Sequence, residues 1–238
     1  FDFSLEKIMN KKSIVIEDDE LGWTIKPNAD VNFAILQDRF PIAQRVHGIK
    51  GIHQAHKEAA KKALTKMFYV VDGDALVEDD FNFDYEVPQK DMNAVHVWRS
   101  KNPVNELVYG YGGVKLLPTK LTLDMDCTST DMTTSISNRF RPMEQISNTS
   151  RFNSTPFNTW KSAFRECVKL SSKVIDRQDN KETEARLDVW CNNSNDNIAI
   201  AGAKAGRQYG EANKNNKEAL AKINDFEWLK EQYNDNPI

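Results

Sequence analysis

The stretch Met67–Phe81, MFYVVDGDALVEDDF, decides how the rest of the chain is read. Phe68, Tyr69, Val70 and Val71 make an apolar, β-favouring run of the kind that forms a strand buried on both faces. The run ends at once in Asp72-Gly73-Asp74. Two carboxylates thus flank a glycine at a strand's carboxyl end, the edge at which open α/β sheets hold their ligands. Carboxylate oxygens are hard ligands, suited to Mg²⁺ or Mn²⁺ carrying phosphates. An acidic turn that merely closes a core strand has the same local sequence, so the flanking segments have to decide.

Upstream, GIHQAHKEAAKKALTK (51–66) is rich in alanine and lysine and predicts a helix. Ile52, Ala55, Ala59, Ala60 and Ala63 supply its apolar stripe, and the lysines face water. Before it, Val31–Leu36 (VNFAIL) reads as a strand and Gln37-Asp38-Arg39-Phe40-Pro41 as a loop. Strand, loop, helix and strand in that order predict a βαβ crossover and a parallel sheet. Arg39 and Arg45 can meet phosphate oxygens there, or stand as solvated surface charges. Further back, Ser13–Ile16 reads as a strand, Glu17–Glu20 as an acidic turn, and Pro27, Asn28 and Asp30 as a loop.

Downstream, residues 81–87 alternate apolar and polar and predict a half-buried strand ended by Pro88. Strands follow at 94–98, 107–109 and 114–117, the last two separated by Gly110, Gly112 and Gly113, which allow a tight path or close approach of a ligand. Residues 119–158 are polar and read as loop with short helices. A helix is predicted over 157–175, with Trp160, Phe164, Cys167, Val168 and Val174 on one face and Lys161, Arg165, Lys169 and Lys173 on another. Helix continues around 186–191, a loop covers 192–197, and Gly202, Gly206 and Gly210 recur every four residues, a spacing that permits close helix packing. No Lys-Ser/Thr of a phosphate loop accompanies them. A last short helix holds Phe226, Trp228 and Leu229.

The 238 residues suffice for one substantial core, and 39% hydrophobic with 28% charged residues describes a globular chain. No apolar run approaches the ~20 residues that span a bilayer. No signal-type segment is visible, although the sequence starts at Phe1 rather than Met and so leaves room for missing upstream residues; a cytoplasmic location is expected. Cys127, Cys167 and Cys191 lack metal-type spacing and read as reduced thiols. Three Asn-x-Ser/Thr triplets, at Asn148, Asn153 and Asn192, read as chance matches in an Asn- and Ser-rich sequence. Net charge is −3, yet 72–91 holds eight acidic residues against Lys90 alone, and 139–177 holds eight basic residues against three acidic. An acidic pole beside a basic segment suits a metal site next to a phosphate-binding surface, although ordinary surface scatter gives the same counts.

The segment AHKEAAKKALTKMFYVVDGD (55–74) resembles the sugar-nucleotide half of GT-A glycosyltransferases, where an Ala-rich helix leads into a strand ending in Asp-x-Asp. The resemblance continues in Gly112-Gly113-Val114-Lys115 and in Asp131 of STDMTTS. It is closer still to the TET-associated glycosyltransferases of phages and some eukaryotes, through RVHGIKGIHQAHKEAAKKA, MFYVVDGDA, VHVWRSKNPVNELVYGYGGVKLLP, TDMTTS and FNTWKSAFRECVKL, which cover most of 45–170.

That resemblance implies one α/β domain over 1–238 with a GT-A-like, mixed and mostly parallel sheet flanked by helices. Its nucleotide-sugar and metal half would span about 1–118 and its acceptor half and C-terminal helices about 119–238. It implies Mn²⁺ or Mg²⁺ on Asp72 and Asp74, and a nucleotide sugar, a UDP-sugar first, near Arg39, Arg45, His56, Asp72 and Gly73. Asp131 becomes the base that deprotonates the acceptor if the enzyme inverts, with Asp124 and Asp126 as neighbours and helix capping as its other explanation.

Gly112, Gly113, Lys115, Trp98, Trp160, Arg165 and Glu166 become acceptor or sugar contacts, and hydroxymethylcytosine in DNA becomes the acceptor. Trp98 or Trp160 would stack a flipped base, and 139–177 would meet DNA phosphates. Trp160 at helical spacing with Phe164 also reads as core, His96 as a core histidine, and Arg165 with Glu166 as an exposed ion pair. The sequence departs from many GT-A enzymes in one respect: His96 is its last histidine, so no late histidine can share the metal. Other readings are transfer to a glycan or protein, a sugar nucleotidyltransferase, for which the Gly-rich loop near the first strand is missing, and a non-catalytic nucleic-acid-binding module.

Overall fold

The computed structural model describes residues 14–18, 28–110, 112–128, 131–173 and 180–235. They divide into two compact units, one within 1–101 and 108–150, the other within 102–107 and 151–238.

The first unit contains β1 (Ile14–Asp18), α1 (Ala29–Arg39), β2 (Gln44–His47), α2 (Ile52–Lys62), β3 (Met67–Asp72) and β4 (Ala75–Val77). β5 (Val95–Lys101), β6 (Val108–Tyr109), β7 (Val114–Pro118), α3 (Thr119–Asp124), α4 (Met132–Ile136) and β8 (Phe140–Ser150) follow. The strands form one sheet in the order β2-β1-β3-β7-β5-β8-β4, with β6 on β5. β1 pairs in parallel with β2 and β3, and β5 with β8. The pairs β3–β7, β5–β7, β5–β6 and β4–β8 are antiparallel. The sheet is therefore mixed, and the expectation of a mostly parallel one is corrected. A parallel return needs a crossover of a dozen or more residues, usually helical. Between Asp72 and Pro118 the only helical element among the described residues is a 3₁₀ turn, at Gln89–Asp91.

β3 sits inside this sheet with both faces covered. Met67, Tyr69 and Val71 join Leu36, Trp98, Val114 and Leu116 on one side. Phe68 and Val70 join Val46, Ala59, Ala60, Leu117 and Met132 on the other. Strand alternation alone divides these two sets. α1 belongs to the first face through Leu36, and α2 to the second through Ala59 and Ala60. Opposite faces follow from handedness, since β1→α1→β2 steps outward and β2→α2→β3 steps back across β1, and both crossovers are right-handed by rule.

Five local expectations are corrected. Residues 31–36 are helical, within α1. Ala29, Asn32 and Leu36 are buried at helical spacing, while β-branched Val31 and Ile35 face solvent. Residues 37–39, expected in a loop, belong to α1, and the strand before α2 is β2, which follows the predicted loop 37–41 and carries Arg45. Glu17 and Asp18 belong to β1; Asp19, Glu20 and Pro27 lie outside the described residues. Residues 81–87 alternate in burial as expected, yet pair with no strand among the described residues. Phe83 takes a left-handed backbone (φ 57°) that breaks a ladder, and Phe81, Phe83, Tyr85, Tyr69 and Trp98 pack edge to face instead. Finally, 119–158 contains the two short helices expected but also the 11-residue β8, whose polar sequence FRPMEQISNTS carries little strand signal.

In the second unit, α5 (Pro156–Ser172), α6 (Asn180–Asn192), α7 (Asn197–Asn213), α8 (Lys217–Ala221) and α9 (Phe226–Asp235) pack around Trp160, Phe164, Val168, Leu220, Ile223 and Leu229. Thr155 caps α5, accepting from the Asn158 N–H, and Pro156 takes the first helical position. Val174, expected on the apolar face, lies outside the described residues.

Gly202, Gly206 and Gly210 of α7 face Trp160, Phe164 and Val168 of α5, four residues apart on both helices, so the two run parallel and in near-backbone contact. A Cβ on Gly206 would lie 2.2 Å from the Phe164 carbonyl oxygen. Gly206→Ala has to push the helices apart, and a loss of about 2–3 kcal/mol in urea unfolding is expected, typical of overpacking. An unchanged midpoint would contradict this packing.

Candidate functional site

Chain order turns around at β1 and β3. From β1 the chain moves outward to β2, then returns across β1 to β3. Ligands of open α/β sheets sit at such a switch point, beyond the strands' carboxyl ends. Asp72-Gly73-Asp74 is the turn leaving β3 at this place. The turn is tied from several sides. Asp72 N–H donates to the Gly113 carbonyl (2.8 Å), and buried Asn32 of α1 donates its amide to the Gly73 carbonyl (3.0 Å). Asp72 and Asp74 are both half-buried.

Asp72 follows Phe68 and Val70 on the α2 face of β3. Lys115 lies on the same face of β7, diagonal to it, because Val70 pairs with Lys115 and Val71 with Val114. Its ammonium donates to Asp72 Oδ1 at 2.6 Å and also to the Gly112 carbonyl. The Lys115 side chain is 4% exposed and that of Asp72 30%. Gly112 turns the chain with φ +77°, and a Cβ at Gly113 would lie 2.5 Å from the Asn148 amide nitrogen. Asn148 is fully buried and bonded to Ser100, Ser147 and Ser150. Its sequon is thus inaccessible in the folded chain. The two glycines shape the loop around Lys115 and Asn148.

α2 begins at the same carboxyl edge, four residues after β2. His53 and His56, in its first turns, are buried, and His56 Nδ1 lies 2.8 Å from the Ile52 carbonyl. His56 therefore faces neither solvent nor an open surface. Burial, then neighbouring His56, push the pKa of His53 down; Asp131 and Asp126 oppose this and are outweighed. Asp131 thus lies on the α2 side, near the helix start. Its Oδ2 caps α4, accepting from the Thr134 N–H (3.0 Å) and the Thr133 hydroxyl (2.8 Å).

Other expected site residues are engaged elsewhere. Arg39 donates to the carbonyls of Val77, Glu78, Asp79 and Phe81, holding the irregular segment after β4. Arg45 bonds Asp30 at 2.6 Å and lies over the Phe33 ring. Trp98 is buried within the aromatic cluster and has no exposed face for a base. In the second unit, Trp160 is fully buried and stacked on Phe164. Arg165 reaches Asn224 and lies over Phe226, and Glu166 is half-buried. Lys161, expected on the charged face, is buried with its ammonium 4.4 Å from the Phe226 ring centre.

The basic segment 139–177 is divided between the units. Arg141 bonds Asp91 at 2.6 Å and Arg139 lies at 3.7 Å, and the Arg141 hydrogen bond holds the Asp91 carboxyl below its usual range. Sequence reasoning missed Asn32, Asn148 and the Lys115–Asp72 pair. Only Lys115 carried a signal, a lysine between apolar Val114 and Leu116.

A divalent ion is compatible with the donor chemistry at the turn. Asp72 Oδ1 already receives a cation at 2.6 Å, and two carboxylates leave further positions to donor oxygens and water. Among the described residues no three His, Cys, Asp or Glu side chains are grouped to hold a metal, and no helix is long and apolar enough to cross a membrane. Cys127, Cys167 and Cys191 are free thiols. No protein-family model matches the chain, and no curated protein matches it at a significant level.

Asp72→Ala strands the Lys115 ammonium in a nearly dry site. Loss of one partner of a buried pair costs about 3–5 kcal/mol, and partial exposure of Asp72 places this case near about 3. Asp72→Ala with Lys115→Met is expected to recover most of that loss in urea unfolding; no recovery would show that the pair does not set the cost.

Burial also pushes the pKa of fully buried His96 down. Below about pH 6.5 the unfolded chain then binds protons more readily than folded His96 and His53 do, so stability falls as pH drops below that value. His96→Leu is expected to flatten the fall in melting temperature between about pH 7 and about pH 5. An unchanged slope would assign it to other groups.

Proposed function

We propose that the chain is a metal-dependent, GT-A-like glycosyltransferase that moves a sugar from a nucleotide sugar, a UDP-sugar first, to an acceptor hydroxyl. The observation that carries this reading is Asp72-Gly73-Asp74 at the carboxyl end of β3, at the switch point between β1 and β3. Hydroxymethylcytosine, or a related hydroxymethyl-pyrimidine in DNA, is the acceptor that the family resemblance favours. A cytoplasmic site of action, in a phage-infected host, accords with that acceptor.

Asp72 and Asp74 would hold Mn²⁺ or Mg²⁺, and Asn32 fixes the turn between them through the Gly73 carbonyl. The bound metal supplies positive charge against the departing nucleoside diphosphate. Asp131, at the start of α4, takes the proton of the acceptor hydroxyl, its carboxylate oriented by Thr133 and Thr134. Burial lowers the pKa of His53 and so disfavours a positive charge there that would repel the metal.

The test incubates the protein with Mn²⁺, a panel of nucleotide sugars and hydroxymethylcytosine-containing DNA, followed by mass spectrometry of the digested nucleosides. A sugar adduct is expected, and its absence across the panel would remove this acceptor. Asp74→Ala is expected to lower transfer by about 100-fold or more, an effect of the size seen when one group stabilising developing charge is lost. Its melting temperature should stay near wild type, since Asp74 lies in a half-exposed turn. Retained turnover would sink the metal role.

A further inference from the structure

Lysine is almost never fully buried unless paired. Lys115 nonetheless stands between core residues Val114 and Leu116, on a face otherwise lined by Phe68, Val70 and Leu117. Its ammonium is fixed by Asp72 Oδ1 and the Gly112 carbonyl. The end of the side chain runs alongside Gly112, whose absent Cβ would stand 3.8 Å from Nζ. The cation is therefore held on the carboxylate proposed to bind metal, beside a glycine.

A divalent ion on Asp72 and the Lys115 ammonium, 2.6 Å from Asp72 Oδ1 and only 4% exposed, would repel each other. We propose that Lys115 is the built-in counter-cation of Asp72, displaced when a divalent metal binds, and that a diphosphate accepts the released ammonium. Metal alone meets an occupied carboxylate. Metal arriving with a diphosphate brings the anion that Lys115 needs, so each ligand tightens the other by the same factor. Lys115 thus acts as a positioning residue that makes metal loading depend on the donor. This inference rests on the reading of Asp72 and Asp74 as a metal–diphosphate site.

Equilibrium dialysis with Mn²⁺, with and without inorganic pyrophosphate and corrected for their complex in solution, tests it on the full chain. For wild type, pyrophosphate is expected to tighten Mn²⁺ binding by about tenfold or more. Lys115→Met, of similar length and suited to the apolar face, is expected to bind Mn²⁺ alone about tenfold more tightly than wild type and to lose the pyrophosphate effect. Equal Mn²⁺ affinity of the two proteins overturns the inference. Should the variant not fold, wild type decides alone, because independent binding of Mn²⁺ and pyrophosphate also overturns it. Sugar transfer with unchanged Mn²⁺ affinity in Lys115→Met sinks this inference and leaves the glycosyltransferase reading standing. The expected Mn²⁺ behaviour without sugar transfer does the reverse.

Discussion

Burial of β3 on both faces is the constraint from which the site follows. Five consecutive side chains, Met67 to Val71, are in the core, so charge can first appear only where the strand leaves the sheet. That place is Asp72. The same alternation that sends Phe68 and Val70 toward α2 sends Asp72 that way too, and β7 brings Lys115 to the same face. A core strand and a charged pair at its end are thus consequences of one register. A one-residue slip would carry Tyr69 and Val71 to the other face and part Asp72 from its lysine.

What was legible in the sequence was whatever the local pattern alone determines. The run 67–71, the alanine stripe of α2 and the long amphipathic α5 each carry a period that no partner has to supply. α1 shows where such reading fails. Its β-branched run VNFAIL reads as a strand, and only the buried set Ala29, Asn32 and Leu36 reveals a helical period, in which a buried asparagine counts and Val31 and Ile35 do not. β8 failed for the opposite reason. Its strand character comes from pairing with β4 and β5 and from a buried Ser and Asn network, information held by distant segments. For the site, the carboxylates were legible and their counter-cation was not, since 43 residues separate Asp72 from Lys115.

The second unit solves its packing by different means. Its glycine row was visible as a spacing, but not what it faces. With Trp160 and Phe164 stacked on each other in the core, α7 meets the backbone of α5 where it has no side chains of its own. Backbone contact over three successive turns fixes the two helices in register, so bulk on one helix and its absence on the other work as a single device. Lys161 extends the theme: its stem is covered by neighbouring residues while its ammonium rests against the Phe226 and Phe157 rings, so a charge repeat in sequence became part of an aromatic core.

Charge distribution along the chain is the feature most changed by folding. The acidic residues 72–91 and the basic ones downstream look like two opposed surfaces, yet part of that contrast is spent in pairs. Asp91 takes Arg141 and Arg139; Glu78 takes Lys101 and Thr149; Asp72 takes Lys115. A cation already held by a carboxylate is a poor first contact for a phosphate backbone, because the pair must be broken before the new one forms. The same fact makes a paired lysine useful at a diphosphate site. Where the incoming anion arrives together with a metal that claims the carboxylate, the broken pair is replaced on both sides at once. Within 139–177 such pairing with the acidic stretch takes up Arg139 and Arg141, both on Asp91, and at the end of β3 it takes up Asp72 through Lys115.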